Sequence, residues 1–286
     1  MTAVWKFSCQ RRPSSVFVSV VGCLVIAGGW AAGEDRVAPN PGAKPMDQLV
    51  LAGGNACGPA ALVNAFRFGN ENWQRAARAL PGATEKDRLW SVIRDHGLRP
   101  SAHLNGRMRW TKAGVNVADL ADIANGMTGG RYLPGISSEV LFIKAGESHE
   151  QLLRRVHGRL STSMEKGLPP VISLRRFVQR RAGGAPFWML LEAHFVTVTA
   201  LPRKLEKGAR SFEVSYIDPW GGKAAAGAIA ISGKAFLASR PVEGRPVDPT
   251  VSPCLEALFP AAVVGRRLVR PSETTVLTLA AAVGRW

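Results

Sequence analysis

Cys57 is the residue of this 286-residue chain whose surroundings point most directly to chemistry. In the run Asn55-Ala56-Cys57-Gly58-Pro59-Ala60-Ala61-Leu62 a proline follows the thiol by two positions. Proline is welcome in the first turn of a helix, so a helix should begin at or next to Cys57. Backbone N–H groups at a helix start are unpaired and the dipole there is positive, which favours a thiolate over a thiol and suits a nucleophile. Gly58 lets another backbone or a substrate come close. Such a thiol needs a base, and the chain offers His96, His103, His149, His157 and His194. His194 lies in Glu192-Ala193-His194-Phe195-Val196-Thr197-Val198, which reads as a strand with His194, Val196 and Val198 on one face. The next strand ends in Asp218-Pro219-Trp220-Gly221-Gly222. In an antiparallel pair the start of one strand lies beside the finish of the next, which brings His194 and Asp218 to one edge of the sheet. Pairing 194 with 218 puts both side chains on one face, where the carboxylate can fix the ring's tautomer. Each residue also has a plainer reading. Cys57 can be a small buried hydrophobe or half of a disulfide with Cys254, His194 a structural strand residue, and Asp218-Pro219 a turn starter. Trp220 and its two glycines either line a cleft or shape that turn.

The elements that must position these residues follow from periodicity. Residues 58–68 are helical in pattern, with Leu62 and Phe66 four apart and Gly69 as the stop. Further helices are expected over 85–96, 117–125 and 149–166, with Gly97 and Gly167 at two of the ends. After Pro169-Pro170 the texture changes, and 171–178, 194–201, 212–218 and 274–279 carry the β-branched and aromatic residues of strands. A helical first half and a stranded second half imply an α+β fold. The spaces between strands are too short for helical crossovers, so the sheet should be antiparallel.

Composition sets the frame. A chain 46% hydrophobic and 20% charged is not disordered, and 30 glycines without a triplet period are not collagen. Lys6, Arg11 and Arg12, an apolar run over 16–27 and the small residues up to Gly33, with no acid before Glu34, read as a secretory signal at 1–33. An uncleaved membrane anchor, or a lipoprotein attached through Cys23, is the alternative. The signal holds three basic residues and no acidic one, so its removal lowers the formal charge from +16 to +13 and leaves Cys57 and Cys254 as the cysteines. Residues 34–47, with Pro39, Pro41 and Pro45, read as an extended leader, and 48–286 as one domain. Arg175-Arg176, Arg180-Arg181 and Arg266-Arg267 either make a soluble positive surface or meet an anionic envelope polymer or membrane surface. No nucleic-acid partner is expected, for no basic-aromatic recognition motif is present. No metal is expected either, since H-E-x-x-H and C-x-x-C are missing and His149-Glu150 is followed by Leu153 where a second histidine would stand. There is no glycine-rich phosphate loop to hold a cofactor and no G-x-S-x-G elbow.

Taken in order, Cys57-Gly58-Pro59-Ala60-Ala61-Leu62, His194-Phe195-Val196 and Asp218-Pro219-Trp220-Gly221-Gly222 resemble the C39-like cysteine peptidases of the papain-like superfamily. The resemblance spans about 48–222. It implies a papain-like fold, with the nucleophile helix packed on a C-terminal antiparallel sheet. It also implies Cys57 as nucleophile, His194 as general base and acid, and Asp218 as the residue that orients it. The family usually carries a glutamine about six residues before the cysteine as an oxyanion donor, and here that position is Leu51. Gln48, brought round by the loop Ala52-Gly53-Gly54, and Asn55 are the two candidates for the missing donor. The expected activity is hydrolysis of a peptide or isopeptide bond in a peptide or protein substrate. An acyl transferase using the same thiol, or an inactive peptide-binding module on the same scaffold, are the rivals. There are no transporter helices or ATP-binding motif, so the leader-trimming role of transporter-fused family members is not carried over.

Overall fold

The helical periodicity of the first half and the β-branched texture of the second each produce what they favour. The computed structural model describes residues 35–51, 55–182, 185–233 and 252–286. Helices α1 (Cys57–Phe68), α2 (Glu71–Arg78), α3 (Glu85–Val92), α4 (Val117–Thr128) and α5 (His149–Glu165) precede the long strands. A five-residue π turn, Ile93–Gly97, prolongs α3 to the glycine expected to end it. Side chains cap four of these helix starts: Asn70 on α2, Thr84 on α3, Asn116 on α4 and Ser148 on α5. Each satisfies N–H groups that a helix cannot satisfy itself. Among the described residues α1 alone of the five lacks such a cap, because Ala56 has no polar atom to offer. Its first-turn donors are left for something else.

Ten strands follow in chain order: β1 (Asp35–Val37), β2 (Trp110–Thr111), β3 (Gly114–Val115), β4 (Ser137–Val140), β5 (Val171–Ala182), β6 (Ala185–Pro202), β7 (Ser211–Asp218), β8 (Lys223–Ala230), β9 (Leu255–Leu258) and β10 (Thr275–Gly284). β2 and β3 make a small separate hairpin; the other eight form one antiparallel sheet ordered β1-β6-β5-β10-β9-β8-β7, with β4 on β10. Since β6 also pairs with β7, the strands β6, β5, β10, β9, β8 and β7 close into a ring. The architecture is therefore mixed, helices followed by a large antiparallel sheet, as α+β requires. Closure hides strand edges that would otherwise invite pairing with other chains.

Two large apolar clusters hold the molecule, beside a small third one. One joins Ile172, Leu174, Val196, Val198, Val214 and Tyr216 of the ring strands to Leu152, Val156 and Leu160 of α5. The other joins α1 through α4 and takes in Phe195 from β6. β6 thus serves both, its alternate side chains facing opposite ways. The Pro-rich segment pairs with β6 at its start as β1, turns at residues 41–42, and has its Met46 wholly buried in the helical cluster. Residues 1–34, read as export signal and first leader residue, lie outside the described residues. Among the described residues no helix is long and apolar enough to cross a membrane.

Candidate active site

Cys57 is the first residue of α1, where the Pro59 position placed it. The helix is fastened to the sheet at that end. Thr197 Oγ1 on β6 donates to Ala61 O at 2.8 Å, buried and far away in sequence. Gly58 permits a close approach, though of side chains rather than of backbone. A Cβ there would lie 2.5 Å from Val115 Cγ1 and 3.1 Å from Leu120 Cδ1, so any larger residue would push the helix start off its seat. With the N-cap unfilled, the positive end of α1 points at whatever lies against the sulfur.

What lies there is His194. Its Nε2 is 2.8 Å from Asp218 Oδ1, a buried contact with His194 7% and Asp218 4% exposed. With Nε2 engaged by the carboxylate, Nδ1 is the other ring nitrogen, and Cys57 is near enough to add to the electrostatics of the ring. Burial alone would push the imidazole's pKa down. The hydrogen bonds to Asp218 and Cys57, and the negative charge each can carry, outweigh it and raise the value to about 10. The direction of that shift favours the protonated imidazole. Cys57 itself is buried, at 8% exposed.

The register that brings histidine and carboxylate together differs from the one expected. β6 and β7 pair Thr197 with Ile217 and Val198 with Tyr216, which continues to 196 opposite 218 rather than 194 opposite 218. The offset is two residues, and because side chains alternate with a period of two the shared face survives it. His194 and Asp218 meet as diagonal neighbours, a distance that an imidazole can span.

The turn after Asp218 is built around the same oxygen. Trp220 N donates to Asp218 Oδ1 at 2.8 Å, so Oδ1 accepts from two N–H groups at once. Gly221 and Gly222 have φ of +87° and +60°, left-handed values that explain both glycines as turn residues. Trp220 differs from them, since it lines a cavity beside His194.

Of the two oxyanion candidates, Gln48 is tied to the turn after Asp218, whereas the side chain of Asn55 is engaged elsewhere. Gln48 is 4% exposed and its backbone N–H donates to Pro219 O at 2.8 Å, directly after the orienting carboxylate. Its Oε1 is buried without a hydrogen-bond partner. Asn55 is exposed and spends its side-chain amide on Lys112 O at 3.0 Å. Leu51 is half-buried, and Ala52-Gly53-Gly54, expected to swing Gln48 round, lie outside the described residues. Sequence reasoning missed Asp47. Its Oδ1 accepts from Leu49 N at 2.8 Å, capping the single 3-10 turn Gln48–Val50, and from Gly221 N at 2.9 Å. One carboxylate oxygen therefore clamps the Gln48 turn to the Asp218 turn. Asp ahead of a short helical turn is a readable cap signal; its reach across 174 positions to Gly221 leaves no trace in the sequence.

The remaining groups have structural employment. Cys57 and Cys254 are both free and buried, so the disulfide alternative is not formed. Cys254 packs with Phe177, Trp188 and Val276, and burial pushes its thiol pKa up. His149 and His157 contact the backbone carbonyls of Ser252 and Pro202. Of the arginine pairs, Arg176 and Arg266 donate to Val264 O and Pro260 O, and Arg180 pairs with Glu273. One cluster was not anticipated: His103, Asp119 and Asp122 bring ligand-type atoms within 4.8 Å of one another. Asp122 pairs with Arg109, and Asp119 Oδ2 accepts from Ser101 and Asn116, while Asp119 Oδ1 is buried without a hydrogen-bond partner among the described residues. Comparison of the chain with protein-family models, curated proteins and solved structures finds no match in any of the three.

Proposed function

We propose that this chain is an exported cysteine-dependent hydrolase of peptide or isopeptide bonds, built on a papain-like scaffold of the C39-like kind. The observation that carries the reading is the buried His194–Asp218 hydrogen bond with the same imidazole against the thiol that opens an uncapped helix. A purely structural histidine gains nothing from that third partner, and a purely structural cysteine has no use for an imidazolium.

In this reading the Cys57 thiolate attacks the substrate carbonyl carbon. The oxyanion that forms is held by the Cys57 N–H, free at the uncapped helix start, and by the side-chain amide of Gln48. His194 gives its proton to the leaving amine as the carbon–nitrogen bond breaks, leaving an acyl group on sulfur. The neutral imidazole then takes a proton from water, the hydroxide adds to the thioester, and the acid product leaves with the thiolate restored. Asp218 keeps the ring oriented and balances its charge throughout. No step calls for a metal or cofactor.

Leu51, standing where the related enzymes carry their glutamine, favours a second reading as an inactive peptide-binding module. Incubation with a mixed peptide library separates them. Hydrolysis that disappears in Cys57→Ala supports the enzyme, while unchanged peptides that bind to wild type and Cys57→Ala alike support the module. Adding an amine to the same reaction distinguishes water from an amine as acyl acceptor, because transfer adds the amine's mass to the product.

A further inference from the structure

Beside His194 lies a cavity of about 200 Å³, small against the roughly 300 Å³ at which sites for drug-sized molecules begin. Trp220 and His194 form one wall, and Val263, Val264 and Leu268 form the other. That second wall is carried by the loop and 3-10 turn after β9. Cys57 does not line the cavity. It therefore lies on the imidazole's side of the site, away from the sulfur that keeps the acyl group. In the proposed mechanism the group that takes a proton from the imidazole is the leaving amine, and the cavity adjoins that imidazole.

Charge at the rim is uneven. Glu192 borders the cavity, but its carboxylate accepts the Gly265 N–H and faces the positive charge of Arg176. Arg267 also borders it, exposed and with no hydrogen-bond or ion-pair partner among the described residues. An aliphatic floor with one uncommitted guanidinium at the edge selects for a particular ligand.

We infer that this cavity is a leaving-group subsite for peptides whose first residue after the scissile bond is aliphatic and whose next residue is acidic. The apolar wall takes the aliphatic side chain, and Arg267 takes the carboxylate as a charge-assisted hydrogen bond. The inference rests on the proposed hydrolase reading, because only that reading makes the imidazole's side the leaving side.

The test is calorimetric titration of the full chain carrying Cys57→Ala with the amides of Leu-Glu, Leu-Gln and Leu-Lys. A single exposed charge contact is worth about 0.2–1 kcal/mol, or roughly 1.4- to fivefold per charge. Leu-Glu amide should therefore bind about two- to thirtyfold more tightly than Leu-Lys amide, with Leu-Gln amide between them. Arg267→Glu should reverse the order, and Gly-Glu amide should bind more weakly than Leu-Glu amide. No binding, equal binding of all three, or an order that Arg267→Glu leaves unchanged would overturn the subsite. Alkylation of Cys57 in the unmutated chain judges the hydrolase reading separately: a reactive thiol with no dipeptide order retires the subsite alone.

Discussion

Replacing Asp218 with asparagine removes a charge while leaving an acceptor in place, and the structure says how much that should matter. Oδ1 receives N–H groups from both His194 and Trp220, each at 2.8 Å. An asparagine must put its carbonyl oxygen in that position, because its NH2 would face two donors. The imidazole thus keeps its tautomer, with Nδ1 still available to the sulfur. What is lost is charge assistance: about 1.5–3 kcal/mol for a hydrogen bond to a charged group against about 0.5–1.5 for a neutral one. The difference of about 1–2 kcal/mol is roughly a five- to thirtyfold effect. Asp218→Ala removes the acceptor as well and strands two buried donors, each costing about 1–3 kcal/mol, so its loss should be about thirtyfold or more. The assay is the second-order rate of Cys57 alkylation by iodoacetamide at pH 6, where an ordinary thiol is almost wholly protonated. His194→Ala sets the floor. Hydrolysis, which needs the imidazolium, should hold through neutral pH in the wild type and fall as pH passes about 10, the value to which His194 is raised. In Asp218→Asn the fall should come at lower pH. An Asp218→Asn rate as low as that of His194→Ala would mean the tautomer had flipped. A rate equal to wild type would mean the charge does nothing. Either result refutes the argument.

Other substitutions probe the surrounding pieces. Gln48→Ala should lower kcat by about 10²–10³ while sparing Cys57 alkylation, whereas Asn55→Ala should change either by less than about twofold. Asp47→Ala should reproduce part of the Gln48 loss by releasing the clamp, and Asp47→Asn, still able to accept both N–H groups, should restore it. Gly58→Ala should cost about 1–3 kcal/mol in denaturant unfolding through overpacking against Val115, with Val115→Ala in the same chain recovering part of it. Glu147, whose hydrogen bonds to Arg155 hold its pKa down to about 2, gives stability that is complete above the ordinary carboxylate range near 4.5 and is lost as pH falls through about 2. The melting-temperature gap between wild type and Arg155→Leu should therefore narrow as pH drops from 4.5 towards 2, and a constant gap would contradict that linkage.

Several parts of this molecule were legible because local physics decides them. Pro59 two residues after Cys57 marks a helix start wherever it occurs, and the helix does begin at that cysteine. The β-branched runs at 171–178 and 194–201 became strands, although the hairpin they form extends further, to Ala182 and back from Ala185. β8, Lys-Ala-Ala-Ala-Gly-Ala-Ile-Ala, and β9, Leu-Glu-Ala-Leu, escaped notice because their residues are poor strand formers; pairing with ring neighbours overrides propensity there. α2 escaped for the opposite reason, with Trp73, Ala76 and Ala77 too slight an apolar stripe to announce it. The site follows the same division. His194 and Asp218 could be placed on one face from alternation alone, but the two-residue register offset belongs to the bulged ladder between β6 and β7. The choice of Gln48 over Asn55 depends on a backbone bond to Pro219, and so on tertiary structure rather than on spacing.

The claim on which the rest depends is that Cys57, His194 and Asp218 act as one chemical unit. Competitive labelling of the intact protein with a trace thiol alkylator at pH 6, read by peptide mass spectrometry, tests it directly. Cys57 should be modified at least about a hundredfold faster than Cys254, and His194→Ala should abolish most of that advantage. Equal, slow labelling of both cysteines in the wild type, or a Cys57 rate that His194→Ala leaves unchanged, would contradict it.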